Sequence, residues 1–539
     1  MNPGTAERKN YDFIVVGAGS AGATIAARLS EDASVSVLLL EAGPEYRSEH
    51  TPPEMRSLRG SDISLSEKYR TKFWWPDISG RRTDRQDPRY YARGRGMGGS
   101  SAVNGLVAIR GTPEDFDTWA ELGCSGWSSE DVLPSFIRLE DDLDFENKPY
   151  HGSGGPLPVF RTPVEEWGAV DLALRDAALE LGYGWSDDHN APENTGVSPC
   201  AMNARNGVRV STNDAYLEPS RDRSNLDVVG GALVDRVIFG RAAPSALAVP
   251  RATGLRVRLG EEWTQLMGRE IILSAGAVHT PAILMRSGVG PENELRELGI
   301  ESIVDAPGVG QNLLDHPAVK LTLSLRPSAR AKSISLRPYN CCVRYGSGLA
   351  GAGPNDMILV AENIWGGCVG EDALLKGSIF LSVFQSFSRG QLRITSSDPT
   401  IDPVFDERML SDERDIVRLR DGVRRALEIA DHPAFAAIAE KVLVGDTGRE
   451  KEEFVEDAQV DEWLQAKCGE PSHVSGTCRM GRVDDARSVV DPDCRVIGVD
   501  GLRVVDASIM PEIPRANTHL TTVMIAEHVA SRIFNGFNE

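Results

Sequence analysis

The sequence predicts an α/β protein of two domains, one of them a Rossmann-like nucleotide-binding domain. The chain has 539 residues, more than one ordinary hydrophobic core organises. Its hydrophobic fraction of 41% and charged fraction of 25% are globular proportions, with no bias toward disorder or low complexity. Residues 11–41 then run strand, glycine-rich turn, helix, strand and acid, the order of a βαβ unit that binds a dinucleotide.

Each part of that unit has its own warrant. Tyr11 to Val16 is short, β-branched and apolar, as a buried parallel strand should be. It leads into Gly17-Ala18-Gly19-Ser20-Ala21-Gly22. Gly17 permits the tight turn, Gly19 lets the backbone approach a pyrophosphate, and Gly22 lets the helix pack closely on the strand. Ala23 to Leu29 reads as the helix, whose free N–H groups and partial positive charge would face the phosphates. Val35 to Leu40 reads as the second strand and ends on Glu41, where a carboxylate can accept from ribose hydroxyls and would repel a 2′-phosphate. This segment fits NAD and FAD equally.

Composition excludes several classes. A formal net charge of -21 disfavours nucleic acid and anionic membranes as partners. No stretch reaches the roughly 18 consecutive apolar residues that span a bilayer, and Met1 to Asn10 is polar, without the core of a signal peptide. The eight cysteines form no Cys-x-x-Cys pair, and the nine histidines form no His-Glu-x-x-His spacing. No metal site is therefore expected, and scattered thiols suit a reducing cytoplasm.

Further on, Gly94-Arg95-Gly96-Met97-Gly98-Gly99-Ser100-Ser101-Ala102-Val103-Asn104-Gly105 is a dense run of glycine and small polar residues, able to bring backbone N–H groups against a ligand. Four more segments follow in order: Gly276 to Gly290, Gly308 to His316, His473-Val474-Ser475-Gly476-Thr477-Cys478-Arg479-Met480-Gly481, and Val505 to Pro511 with Asn517-Thr518. Together they resemble the signatures of the glucose-methanol-choline (GMC) flavin oxidoreductases, in their alcohol oxidase and dehydrogenase branch, over nearly the whole chain. The family often has leucine at Met97. Where some members carry the histidine that attaches FAD, this chain has Val103, which has no nucleophile.

The resemblance implies FAD, held non-covalently. It implies a Rossmann-like FAD-binding domain built from residues 1–160, 226–316 and 487–539, and a discontinuous substrate domain with an antiparallel sheet and helices, from 161–225 and 317–486. Asn225 to Val229 and Glu270 to Leu273 read as further FAD-domain strands. Ser386 to Asp402 turns and alternates like an antiparallel segment, with Leu392-Arg393-Ile394 expected in a sheet of the substrate domain. Glu413 to Ala430 and Thr518 to Phe534 have apolar residues at helical spacing. The implied flavin contacts are Gly17, Gly19, Ser20, Ala21, Gly22, Glu41 and Ala42, then Met97, Gly99, Ser101, Asn104 and Gly105. Val234, Asp506, Ala507, Asn517 and Thr518 complete them.

His473 takes the position of the family's base, a role suited to imidazole because its pKa of about 6.5 lies near working pH. Asn517 takes the second catalytic position, where its amide would orient the alcohol; it could also cap the helix that follows. His519, two residues on, is read as structural. Phe73-Trp74-Trp75-Pro76 looks exposed, fitted either to wall a substrate pocket or to anchor a loop. The implied activity is oxidation of a primary, polar alcohol to an aldehyde by hydride transfer to flavin N5, with dioxygen reduced to hydrogen peroxide. The acidic balance leans toward an amino-sugar hydroxymethyl group as substrate. A dehydrogenase with another acceptor and a flavin-bearing hydroxynitrile lyase are the alternatives.

Overall fold

The computed structural model describes residues 10–59, 67–240, 249–349, 351–368, 370–445, 449–450, 454 and 456–537. Of the polar Met1 to Asn10 run, only Asn10 falls within them.

Apolar β-branched runs set up a buried parallel sheet. Tyr11–Val16 lies between Val37–Leu40 and the long strand Glu262–Leu273, and all three run parallel. Leu226–Val229 adds beside Val37–Leu40, and Leu502–Val504 beside Glu262–Leu273. The register aligns Val16 with Leu40 and Leu273, and Leu273 with Val504, so these strands end at one edge. That edge is where open α/β sheets bind ligands, and the residues following it are Gly17, Glu41, Ser274 and Val505. The other half of Glu262–Leu273 bends into an antiparallel meander with Ala252–Leu259 and Ala232–Phe239.

The helix expected from Ala23 begins earlier, at Ser20, and runs to Leu29. Gly22 explains its closeness to the strand, because a Cβ there would lie 1.8 Å from the Gly17 carbonyl oxygen. Its small residues also let the C-terminal helix Thr518–Phe537 pack across it.

The second layer is an antiparallel sheet that steps from Ala439–Val444 through Ala318–Leu325, Lys376–Val383, Met357–Glu362 and Cys341–Tyr345 to Gly196–Pro199. Alternation gives it two different faces. Leu321, Leu323, Ile379, Leu381, Leu359 and Val343 turn into a core covered by helices Ala169–Glu180 and Glu413–Ala430. Lys320, Phe380 and Val360 pair directly across the strands on the opposite face, with Ile358 and Glu362 beside them. That face roofs the cavity described below.

Strand Gln391–Arg393 is antiparallel, as read, and lies outside this sheet. It pairs with Val404–Asp406 in a separate sheet that also holds Ser79–Arg81 and Arg89–Tyr90. Leu392 packs with Ile78, Leu313, Phe405 and Val474, while Ile394 joins the core of the parallel sheet. Period-two alternation tells which residues are buried, not which core receives them. Among the described residues, no helix is long and apolar enough to cross a membrane.

Candidate active site

The strand ends and the polar face of the antiparallel sheet enclose a cavity of about 560 Å³, within the usual range for cofactor and ligand sites. From the nucleotide side it is lined by Gly17, Gly19, Ser20, Ala21, Glu41 and Ala42. Gly99, Ser101, Asn104 and Gly105 line it as well, as do Val234, Asp506, Ala507, Asn517 and Thr518. Two expected residues do not reach it. Gly22 serves helix packing, and Met97 is fully buried in the core, with only its carbonyl engaged, by the Tyr46 hydroxyl at 2.7 Å.

The residues present fit a dinucleotide. Gly19 caps its helix with extended backbone and no side-chain hydrogen bond, so the first helical N–H groups are left for a ligand. A Cβ on Gly19 would meet only Gly99 Cα, at 3.9 Å, so the approach to this backbone is open. Glu41 is buried and already accepts three backbone N–H groups: Ala18 on Oε2 at 2.8 Å, Gly43 and Gly96 on Oε1 at 2.8 and 2.9 Å. Burial raises its pKa against those donors. One lone pair of Oε2 is then free for a ribose hydroxyl, so Glu41 shapes the loops as much as it contacts a ligand. Asp506 likewise holds turns together, accepting from Gly276 N, Thr280 Oγ1 and Ser508 N.

His473 is built into place by a local zipper. Leu314 and Ser475 exchange backbone hydrogen bonds of 3.0 and 2.9 Å, which lays Leu313–His316 against His473–Gly476. Asp315 Oδ1 accepts the backbone N–H of both His316 and His473, at 2.7 and 3.0 Å. Tyr91 donates to the other oxygen at 2.5 Å and accepts from Val474 N. The His473 ring is thereby fixed by backbone, without a carboxylate at its nitrogens. Nε2 meets Asn517 Nδ2 at 3.1 Å, and Nδ1 meets His316 Nδ1 at 2.8 Å. Burial, then His316 and Arg93, push its pKa well below the ordinary histidine value. A neutral imidazole in the cavity wall can take a proton; a charged one could not.

Asn517 directly precedes helix Thr518–Phe537, and its amide nitrogen turns to His473, leaving Oδ1 for other partners. His519 also lines the cavity; its Nδ1 lies 2.9 Å from Ser20 Oγ and ties together the starts of the two helices. Burial holds His519 near 4.

Phe73 and Trp74 are buried, contrary to the exposed reading, and Trp74 and Trp75 both line the cavity. Trp75 stacks on His279 with ring centroids 3.9 Å apart. The local residue types gave no sign of that partner, which lies two hundred residues away. Sequence reasoning also missed the roof. Ile109, Ile358, Val360, Phe380 and Phe384 supply an apolar wall, and Lys320 pairs with Glu362 at 2.9 Å beside it. The signal for the roof was the strand alternation in 318–325 and 357–362, which separates these residues from their core-facing neighbours.

Two family models, both described as GMC oxidoreductase, match residues 11–318 and 386–526. The 5-(hydroxymethyl)furfural oxidase of Methylovorus sp. (strain MP688) is 36% identical, over 97% of this chain and 98% of its own. The glucose dehydrogenase [FAD, quinone] of Drosophila pseudoobscura pseudoobscura is 33% identical, over 96% of this chain and 85% of its own. Among solved structures, the pyridoxine 4-oxidase from Mesorbium loti superposes with a TM-score of 0.86 at 29% identity, covering 98% of this chain and 99% of that one.

Proposed function

The chain belongs to the GMC oxidoreductase family, and on that premise we propose that it oxidises a primary alcohol carried on a compact ring to the aldehyde, with FAD as hydride acceptor and dioxygen as final oxidant. The enzyme acts on CH–OH donors, and bound FAD supplies the two-electron acceptor. One alcohol and one dioxygen give one aldehyde and one hydrogen peroxide.

The observation that carries this reading is the His473–Asn517 pair in the cavity wall. An alcohol oxygen within reach of both gives its proton to His473 Nε2 and receives an N–H from Asn517. Removing the hydroxyl proton raises electron density on the carbinol carbon and lowers the barrier to loss of its hydride. Asn517 fixes the oxygen, so the carbon faces one way. The mainly apolar roof of Ile358, Val360 and Phe380 suits a flat ring better than a polyhydroxylated one. An amino-sugar alcohol would find Glu362 of this roof already paired with Lys320, and Glu470 of the same cavity paired with Arg82. The names of the furfural and pyridoxine oxidases among the relatives favour oxygen over a quinone as acceptor. Val103 lines the cavity and carries no nucleophile, which favours non-covalent FAD.

The test is anaerobic titration of the yellow holoenzyme with hydroxymethyl-substituted furans, pyridines and benzenes, then sugars and amino sugars. Bleaching by the ring alcohols under argon, followed by stoichiometric peroxide on admitting oxygen, is the expected result. Bleaching without peroxide would turn the assignment to a dehydrogenase. No bleaching by any alcohol, with turnover of a cyanohydrin, would turn it to a lyase.

A further inference from the structure

We propose that His316 is a positioning residue that sets the tautomer of His473, accepting the His473 Nδ1–H so that the Nε2 lone pair is held toward the alcohol. The inference rests on the reading of His473 as the base.

Two imidazoles that share a short N···N contact must differ: one nitrogen carries hydrogen and the other is bare. The Nδ1 atoms of His316 and His473 lie 2.8 Å apart, with rings perpendicular at 89° and centroids 5.1 Å apart. Either could be the donor, and the surroundings decide between them. His316 is fully buried, stacked on Phe384 with centroids 4.7 Å apart. Its Nε2 is buried without a hydrogen-bond partner, so the position of the hydrogen between the rings is decided on the His473 side.

The far side of His473 decides it. An amide NH₂ only donates, so the Nε2 that Asn517 Nδ2 meets at 3.1 Å is bare, the His473 hydrogen sits on Nδ1, and His316 Nδ1 accepts it. The reverse tautomer would set an N–H against an NH₂ group and leave no base facing the cavity. Burial also keeps His316 neutral, near 3, so it accepts rather than competes for charge. The base is thus aimed by a neutral acceptor. As His473 takes a proton on Nε2, the Nδ1–H···Nδ1 bond strengthens, because its donor has become cationic.

The backbone explains how the two rings stay in register. Asp315 binds the N–H of both residues with one oxygen, and the Leu314–Ser475 bridge follows immediately. His316 therefore moves with His473 as one unit.

The experiment uses FAD-loaded H316F, H316Q and H473A. Phenylalanine keeps the stack on Phe384 and removes the acceptor; glutamine restores one through its carbonyl. Limiting flavin-reduction rate and alcohol Kd are measured under argon, and ring ¹⁵N shifts of histidine-labelled protein report the tautomer independently of turnover. We expect H316F to reduce about 10- to 100-fold more slowly with Kd within about twofold, and H316Q to recover most of the loss. Resting wild type should show His473 protonated on Nδ1 and bare on Nε2. Wild-type rates in H316F, equal losses in H316F and H316Q, or hydrogen on His473 Nε2 would each overturn the inference. If H316F does not retain flavin, H316M removes the acceptor and is read in its place. Loss in H473A with normal H316F sinks this inference alone, whereas normal reduction in H473A sinks the base assignment beneath it.

Discussion

Two buried histidines of this protein meet opposite surroundings. His473 contacts another neutral imidazole and an amide, and burial holds it uncharged. His151, in a separate cluster, is clamped between Glu140 at 2.6 Å on Nδ1 and Asp188 at 2.8 Å on Nε2. Asp142 lies 3.2 Å from Nδ1, Arg110 pairs with Glu140, and Arg161 joins Asp142 to Asp188. Burial alone would lower the His151 pKa, but its bonds to Asp188 and Glu140 outweigh this and raise it. Arg110, Arg161 and His151 thus face Glu140, Asp142, Asp188 and the partly buried Asp144, and with a carboxylate at each ring nitrogen both His151 nitrogens donate. Glu140, Asp142 and His151 lie close enough to share a metal ion, but both His151 nitrogens already face carboxylates, Glu140 Oε1 faces the imidazole and Asp142 faces Arg161. An imidazole among carboxylates is a structural cation. One among neutral groups is available as a base.

The sharpest way to break this contrast is to truncate both. H473A should lower the anaerobic flavin-reduction rate by a factor of about 100 or more, the usual share of acid–base catalysis, with little change in unfolding free energy. H151A should do the reverse. It strips the partner from buried Glu140 and Asp188, which costs about 3–5 kcal/mol when a buried ion pair is broken, while the protein that remains folded reduces its flavin normally. Matching effects in the two variants, read by stopped-flow absorbance and denaturant unfolding, would end the distinction. A smaller effect is expected at Asn517. N517A should slow reduction by about 10-fold, one hydrogen bond's worth, and N517H should recover part of it because imidazole can also donate. An unchanged rate in N517A would leave His473 acting without a second polar group.

The two sites also differed in how far the sequence disclosed them. The glycine turn, Glu41 and helix Glu413–Ala430 were legible because their signals are local: steric demands at successive residues, or apolar spacing on one face. The strand expected from Val35 starts at Val37, and the helix expected to stop at Phe534 runs to Phe537, ordinary uncertainty at element ends. His473 and Asn517 were legible only through motif resemblance. Nothing near His473 announces its acceptor, 157 positions earlier in the chain, because the Nδ1···Nδ1 contact depends on the zipper between two distant loops. The His151 clamp was invisible for the same reason, its partners being distributed from Arg110 to Asp188. Leu392–Ile394 shows the converse: local alternation revealed a strand and could not say which sheet it joins.

The finest expected difference lies in the pH dependence of stability, where the two surroundings must act with opposite sign. A histidine whose pKa is raised on folding stabilises fully below its unfolded value of about 6.5, and that contribution is lost as pH rises through the folded pKa. His151 therefore favours the folded state most near neutral and acid pH. For His473 and His316 the pKa falls on folding. The unfolded chain then binds protons that the folded one refuses, so stability declines as pH drops below about 6.5. Each such group contributes at most about 1.4 kcal/mol per pH unit. The stability difference between wild type and H473Q should therefore move in favour of H473Q between pH 7 and 5. That between wild type and H151Q should move in favour of H151Q as pH rises from 6.5 to 9. Parallel shifts in the two series would mean that His473 is charged in the folded protein. A charged His473 could not receive the alcohol's proton, and the difference between the two imidazoles would then reside in position rather than in protonation.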